Sequence, residues 1–220
     1  MTQKLSSIII LLGAPGAGKG TIAQHLKDKY EVCHFSTGNL LRNEIQRGTD
    51  IGLKVKEIVA SGGLVGDDIV SEIVEKNLTG AVAEGLVVLD GYPRTKHQAE
   101  VLDAMMFGKL KALIRVIEIS IDREALISRL SQRLVCSKCG NTYGPIDGRS
   151  VCSCGGDLIK RKDDEEATVR ERLKKYEEET LPVSGYYSDR LVRVSGDGAP
   201  DEVAQNVDKL LGSFGIERRR

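Results

Sequence analysis

Residues 7–21 read SIIILLGAPGAGKGT, an apolar run that ends in a glycine-rich loop with a lysine. The run from Ser7 to Leu12 predicts a strand buried on both faces, and a helical pattern follows the loop. In Gly13-Ala-Pro-Gly-Ala-Gly-Lys19 the glycines let backbone N–H groups surround an anion, and the start of the next helix adds positive charge. Lys19 supplies a mobile cation for outer phosphates. The segment therefore predicts a phosphate-binding loop; the alternative is a flexible strand-to-helix turn.

The residue after Lys19 narrows the class of loop. Many phosphate-binding loops place a Ser or Thr there to hold magnesium, whereas this chain has Gly20, followed by Thr21. A magnesium ligand is then expected elsewhere. Asp90 ends a predicted strand at the carboxyl edge of the sheet, where parallel sheets present ligand-facing groups, so it is the candidate, through water. A capping or turn role before Gly91 is the alternative.

The composition indicates the class of protein and the partners that it is not expected to bind. The 220 residues are 40% hydrophobic and 29% charged, which is typical of a globular protein with one main core. Thirty-two basic residues balance thirty-two acidic ones, so no overall positive field predicts binding to nucleic acid or an anionic membrane. The longest apolar run, Ile8 to Leu12, is too short to cross a bilayer, and the N-terminus lacks a signal-peptide layout. We expect a cytoplasmic protein.

Short β-branched runs alternate with helical stretches, which predicts an α/β fold with a five-stranded parallel sheet covered by helices on both faces. Three helix starts have recognisable signals: Asp122 as an N-cap, Asp163 with Glu166 as a capping box for a helix through Thr180, and Pro200 in a first turn. The expected strands are residues 7–12, 33–36, 86–90, 116–121 and 191–194.

Two segments break this alternation. Residues 39–78 predict successive helices without a strand, jointed at Gly62, Gly63 and Gly66. Residues 135–159 are rich in Cys, Gly and Ser and have too few large apolar residues for a core of their own. We expect a core of residues 1–36, 66–134 and 160–220, with insertions at residues 37–65 and 135–159.

The second insertion contains Cys136-Ser-Lys-Cys139 and Cys152-Ser-Cys154. Because a reducing cytosol disfavours disulfides, these four thiols predict a closed tetrahedral zinc site with a structural role. The single residue between Cys152 and Cys154 strains the chelate loop, so Ser153 or Asp157 is an alternative ligand. Cys33 is expected to be a small buried apolar residue.

The chain resembles adenylate kinases in five blocks that keep the order of that family. The resemblance implies a P-loop NTPase core, a helical insertion that binds the nucleoside monophosphate, and a small zinc-ribbon lid. It also implies Mg²⁺-dependent, reversible phosphoryl transfer from ATP to AMP that yields two ADP. The blocks are Gly13-Ala-Pro-Gly-Ala-Gly-Lys-Gly-Thr21, Ser36-Thr-Gly-Asn-Leu-Leu-Arg42, Leu89-Asp-Gly-Tyr-Pro-Arg-Thr95, Arg161-Lys-Asp-Asp164 and Gly185-Tyr-Tyr-Ser188.

The resemblance also assigns site residues. Phosphate contacts are implied for Lys19, Arg42, Arg94, Arg129, Arg133, Arg161 and Arg172. The predicted catalytic residues are Lys19, Arg94, Arg129, Arg133, Arg161 and Arg172, together with Asp90 as the residue that holds Mg²⁺. ATP binding is implied for Gly16, Ala17, Gly18, Lys19, Gly20, Thr21, Arg133, Thr142, Tyr143 and Gly198. AMP binding is implied for Thr37, Arg42, Gly63, Leu64, Val65, Gly91, Tyr92, Pro93, Arg94, Gln98, Arg161 and Arg172. Zinc ligation is implied for Cys136, Cys139, Cys152 and Cys154.

The chain departs from the family pattern at two places. Asn39 stands where the family usually has Asp, and the second cysteine pair is Cys-x-Cys rather than Cys-x-x-Cys. His25, His34 and His97 are scattered singly and are expected at the surface or in packing. The rivals are a kinase with UMP, CMP or GMP as acceptor, and a nucleotide-dependent switch whose zinc ribbon binds nucleic acid or protein. We expect a monomer with ATP, AMP and ADP as ligands.

Overall fold

A computed structural model describes residues 7–110, 112–144 and 150–218. Its main sheet has five parallel strands in the order β2-β3-β1-β4-β8. These strands are β1 (Ser7–Leu12), β2 (Val32–Ser36), β3 (Leu86–Asp90), β4 (Leu113–Ser120) and β8 (Leu191–Ser195). The connections that leave β1 and β3 run toward opposite edges of the sheet, and parallel α/β sheets open a ligand crevice between two such strands. The α/β prediction is confirmed.

Helices follow the strands, as the alternating pattern predicts. They are α1 (Lys19–Lys29), α2 (Thr37–Arg47), α3 (Asp50–Ala60), α4 (Asp67–Glu84), α5 (Lys96–Ala104), α6 (Arg123–Ser131), α7 (Glu166–Lys175), α8 (Leu181–Tyr186) and α9 (Pro200–Ser213). A π-helical segment, Met105–Leu110, extends α5, and a second one, Tyr176–Thr180, joins α7 to α8. In the described parts of the chain, no helix is both long and apolar enough to cross a bilayer.

Strand β1 supplies both faces of the core. Ile8, Ile10 and Leu12 pack into one apolar cluster with residues of α4 and α5. Ile9 and Leu11 point the opposite way, into a second cluster with residues of α1, α6 and α9. Because neighbouring side chains of a strand alternate between faces, an unbroken apolar run is the sequence that a centrally buried strand requires.

The two predicted insertions differ in secondary structure. α2, α3 and α4 follow one another with no strand in that described stretch. The insertion at residues 135–159, called the lid below, contributes β6 (Thr142–Tyr143) and β7 (Leu158–Ile159), which pair antiparallel with β5 (Leu134–Cys136). Residues 145–149 of the lid lie outside the described residues.

Most local predictions are confirmed, with small shifts in strand ends. Asp122 caps α6 by accepting a hydrogen bond from the Glu124 N–H, and α9 begins at Pro200. β4 extends over Leu113–Ser120 rather than residues 116–121. Its earlier start comes from pairing with β1 across all six β1 residues.

The predicted capping box of Asp163 and Glu166 is wrong. Asp163 lies in a short 3₁₀ turn before α7, and the N-cap residue is Glu165, whose side chain makes no capping hydrogen bond. The reason is tertiary: the carboxylates of Asp163 and Asp164 bind Arg172. An ion pair with a buried guanidinium has displaced a local cap.

Candidate active site

The phosphate-binding loop connects β1 to α1 and is closely packed at two of its glycines. A side chain at Gly13, whose φ is +140°, would place its Cβ 2.5 Å from the carbonyl oxygen of Ile119. Gly16 has φ +89°, and its Cβ would lie 2.9 Å from Leu130. Both positions therefore require glycine. α1 begins at Lys19 with Gly18 as N-cap, so its free N–H groups face the loop.

Lys19 bends back across this loop. Its ammonium donates hydrogen bonds to the carbonyl oxygens of Gly13, at 2.6 Å, and of Ala14, at 3.0 Å. Burial lowers the pKa of Lys19 to about 8, Asp90 opposes that change, and Arg94 adds to it. An anion bound in the loop would stabilise the charged lysine, because a nearby negative charge raises a cation's pKa.

The basic residues predicted from sequence meet in one cleft of about 520 Å³. Burial lowers the pKa of Arg94 to about 10 and that of Arg161 to about 9, and neighbouring arginines add to both changes. The Arg161 Nε is buried without a hydrogen-bond partner among the described residues. Such crowding of cations favours binding of a polyanion. The seven are Lys19, Arg42, Arg94, Arg129, Arg133, Arg161 and Arg172.

Two acidic residues hold part of this cluster in place. Arg172 Nη1 lies 2.9 Å from Asp164 Oδ1 and 3.2 Å from Asp163 Oδ2. Arg133 forms a bidentate ion pair with Asp164, in which Arg133 Nε lies 2.7 Å from Asp164 Oδ2. Nearby arginines, Arg172 first, lower the pKa of Asp163 against the effect of its burial. The acidic pair therefore fixes two guanidinium groups at the cleft before any anion arrives.

A second, smaller pocket opens beside α2 and contains most residues expected to bind AMP. Thr37 Oγ1 donates to the Gly91 carbonyl oxygen at 2.7 Å. The buried Gln98 amide donates to Asp67 Oδ1 and accepts a hydrogen bond from the Arg94 N–H, at 2.8 Å. An amide nitrogen carries two hydrogens, so one Gln98 N–H remains for a ligand. Pocket-lining residues include Thr37, Arg42, Gly63, Leu64, Val65, Gly91, Arg94, Gln98 and Arg172.

The lid lies over the loop on the other side of the cleft. A Cβ at Gly20 would be 3.6 Å from Thr142 Oγ1 and 3.9 Å from Asp90 Oδ2. Thr142, Tyr143 and Asp90 all line the cleft. The Asp90 carboxylate therefore stands beside the start of α1. One carboxylate beside bound phosphates suits Mg²⁺, which takes few protein ligands and keeps several waters.

The four lid cysteines converge. Their Sγ atoms all lie within 4.8 Å of one another. Cys136 and Cys154 are 3.4 Å apart at sulfur, and Cys139 and Cys152 are 3.6 Å apart. Four thiolates tetrahedrally bound to zinc at about 2.3 Å would have sulfur separations of about 3.8 Å. The donor set and its spacing fit zinc, including the shortened Cys152-Ser-Cys154 pair.

Comparison with known proteins identifies the family. A family model described as adenylate kinase matches residues 11–192. The chain belongs to the adenylate kinase family. It is 43% identical over 212 residues to an adenylate kinase of Alkaliphilus oremlandii, covering 93% of this chain and 98% of that protein. It is also 39% identical over 211 residues to the Bacillus licheniformis adenylate kinase, covering 93% of this chain and 97% of that protein.

Three of the residues to which the resemblance assigns nucleotide binding do not line either pocket. Ala17 and Tyr92 are buried behind the cleft. Gly198 lies outside both linings, before α9 and close to the Glu202 side chain. Backbone contacts at Ala17 and Tyr92 remain compatible with the loop and with the pocket wall. The Gly198 assignment has no support from its position.

Two features of the cleft in this adenylate kinase family member have no counterpart among the residues predicted from sequence. His34 was expected at the surface or in packing, yet it lines the cleft, and its Nε2 is buried without a partner among the described residues. Burial lowers the His34 pKa. The anchoring of Arg133 and Arg172 by Asp163 and Asp164 was also missed. The only sequence signal was their adjacency to Arg161.

Proposed function

We infer that this chain is a phosphotransferase that catalyses the reversible reaction ATP + AMP = 2 ADP. The observation that carries this conclusion is the convergence of Lys19 and six arginines on one cleft beside a phosphate-binding loop. The full-length similarity to adenylate kinases agrees with it. Two nucleotides that meet phosphate to phosphate bring several negative charges into one place, and this cluster compensates them.

ATP is proposed to bind at the loop, with its outer phosphates on Lys19 and on the N–H groups at the start of α1. Residues 16–21 would surround the phosphates. Arg133, which follows the C-terminal end of α6, would contact the same phosphates. Thr142 and Tyr143 of the lid would cover the nucleotide. Both residues line the cleft directly opposite the loop, which supports this placement.

AMP is proposed to bind in the pocket beside α2. Its phosphate would lie on Arg42 and Arg94, which line both pockets and therefore stand between the two nucleotides. Arg161 and Arg172 would approach from the lid side. Thr37 and Gln98, with backbone at residues 63–65, would recognise the adenine, and residues 91–93 would form the wall.

The chain's own contribution to transfer is positioning. Arginine forks grip phosphate oxygens two at a time, and their charge offsets that of the transferring group. The attacking phosphate of AMP is already ionised, so no strong general base is required. Arg129, whose Nη2 donates to the Gly196 carbonyl oxygen at 2.8 Å, is held at the cleft by a backbone bond.

Two metal ions are proposed. Mg²⁺ would be held by Asp90, through water, together with the nucleotide phosphates, and when bound it supplies charge neutralisation at those phosphates. Zinc would be held by Cys136, Cys139, Cys152 and Cys154, and when bound it supplies folding free energy to the lid. The converging thiols support zinc, and the Asp90 position supports Mg²⁺.

We propose residues 37–65 and 135–159 as two flaps that close over the core. Closure would exclude water, a competing phosphoryl acceptor. Both nucleotide pockets lie within one chain, so a monomer suffices. The free thiols of the described cysteines suit a reducing cytoplasm, and the balanced charge disfavours nucleic-acid binding. Light scattering tests the proposed monomeric state, and cell fractionation tests the proposed cytoplasmic location.

The experiment measures ADP formation from MgATP with AMP, UMP, CMP or GMP as acceptor. We expect the highest kcat/KM with AMP. Arg94→Ala should lower kcat/KM by about 10²-fold or more, because a buried phosphate contact is lost. Arg47→Ala is the matched control, since Arg47 lies exposed at the end of α2. Preference for another acceptor, or full activity of Arg94→Ala, would reject the assignment.

A further inference from the structure

One lid hydrogen bond connects the cysteine cluster to the nucleotide cleft. The Tyr143 hydroxyl lies 3.0 Å from Cys152 Sγ. Tyr143 lines the cleft, whereas Cys152 is buried behind it. A metal-bound thiolate carries no proton, so in the loaded protein the phenol must donate this hydrogen bond. Tyr143 therefore touches both the proposed metal site and the proposed ATP site.

Strand β6, Thr142 and Tyr143, links the phosphate-binding loop to the cysteine cluster. Thr142 Oγ1 lies over Gly20, at the start of α1. Both residues pair with β5, the strand that ends at the proposed ligand Cys136. A displacement of β6 by a nucleotide in the loop would therefore move the Tyr143 hydroxyl relative to Cys152.

We propose that Tyr143 is a positioning residue that couples zinc binding in the lid to ATP binding at the loop, an inference that rests on the proposed function. Its hydroxyl orients the Cys152 thiolate and offsets part of its charge. Groups that hydrogen-bond to metal ligands typically change metal affinity by about 10- to 100-fold. Because linkage is reciprocal, ATP must strengthen zinc binding by the same factor by which zinc strengthens ATP binding.

The test compares Tyr143→Phe with the wild-type protein, since the variant removes only the hydroxyl. Zinc dissociation constants are measured by chelator competition, with and without MgATP and in the absence of AMP. For the wild type, MgATP should tighten zinc binding. For Tyr143→Phe, zinc binding should weaken by about tenfold or more, and the effect of MgATP should be lost.

Cobalt substitution supplies a spectroscopic measurement. In the Co²⁺-loaded wild type, the thiolate-to-metal absorption bands should shift when MgATP is added, because Cys152 ligates the metal beside Tyr143. The shift should be absent in Tyr143→Phe. At saturating zinc, Tyr143→Phe should still have a raised KM for ATP with KM for AMP unchanged, which separates coupling from simple loss of metal.

Tyr186→Phe is the matched control, because the Tyr186 hydroxyl donates to Asp103, away from the lid. It should retain wild-type zinc affinity and the MgATP effect. The inference is overturned if Tyr143→Phe matches the wild type in zinc affinity and in the MgATP-induced band shift, or if the wild type binds no zinc. Failure of the proposed function is distinct, since it would appear as absent ADP formation by the zinc-loaded wild type.

Discussion

The core and the lid of this protein differ in how many apolar side chains they bury. In the core, β1 is buried between two apolar clusters, and the neighbouring strand β3 is also almost entirely apolar. In the described part of the lid, the buried side chains include Val135, Cys136 and Cys152, and the strands β6 and β7 have two residues each. The core folds because apolar area leaves water, whereas the proposed zinc, held by the four lid cysteines, would supply the folding free energy of the lid.

Metal removal is the largest expected effect and tests the lid side of this contrast. Stripping zinc, or Cys136→Ser, should release about 10 kcal/mol of metal-coupled folding free energy from the lid and leave the core folded. Hydrogen exchange should show lost protection in β5 and β7 and retained protection in β1. Cys33→Ala, on β2, is the control that keeps the metal. If the lid amides stayed protected in the metal-free protein, the lid would not depend on metal for its folding.

Lys19→Met tests the role of the loop lysine in phosphoryl transfer. Loss of the loop cation should lower kcat by about 10²- to 10³-fold while the thermal unfolding midpoint stays close to wild type or rises. No drop is expected because burial already disfavours the charged lysine. Lys29→Met, exposed on the same helix, is the control. Coupled kinetics and calorimetry supply the two readouts, and near-normal turnover would contradict the role of Lys19.

Leu26→Ala tests the apolar side of the contrast. Leu26 is fully buried between α1 and the sheet, so its truncation should lower the free energy of unfolding by about 3 kcal/mol for the whole core. Leu53→Ala, at a position 65% exposed, should change it by less than about 0.5 kcal/mol. Denaturant unfolding measures both. Zinc affinity should be unaffected, and a parallel loss of zinc would mean that core and lid are not independent.

The smallest expected effect is a pH dependence of nucleotide affinity. Lys19, with its pKa lowered to about 8, is neutral in the free protein at higher pH, so ATP binding must then take up a proton. Affinity should fall above pH 8 by up to about tenfold per pH unit, with Arg161 adding to the fall near pH 9. Titration calorimetry should show that ATP affinity falls less steeply with pH in Lys19→Gln than in the wild type. If the pH dependence were the same in both proteins, Lys19 would not be the group that takes up the proton.

The same pKa change has an opposite consequence for folding. A lysine whose folded-state pKa lies below its unfolded value of 10.5 binds fewer protons when folded. Its burial therefore costs stability fully below pH 8, and that cost is relieved as pH rises toward 10.5. Nucleotide binding and ligand-free stability should thus respond to alkaline pH with opposite signs.

Sequence reasoning succeeded where local chemistry dictates structure. The loop, the five strands and the capping by Asp122 follow from apolar periodicity, glycine placement and an N-cap oxygen, all of which act within a few residues. It failed at Asp163, where a local capping signal was outweighed by Arg172. It also misplaced His34, because nothing in an isolated histidine reveals that a cleft will open beside it.

The sequence by itself determined the fold class, the anion-binding loop and the thiol donors of the lid, since apolar period, glycine conformation and sulfur chemistry are properties of short segments. Only the tertiary structure decided which charges meet. Arg42 lies in α2, Arg172 in α7, and Arg94 and Arg133 in two separate connections, so only folding brings the four side chains to one cleft. The ion pair between Arg133 and Asp164 likewise joins residues 31 positions apart in the chain. The interaction energy of two charges depends on the distance between them and on their burial, and the order of residues along the chain specifies neither.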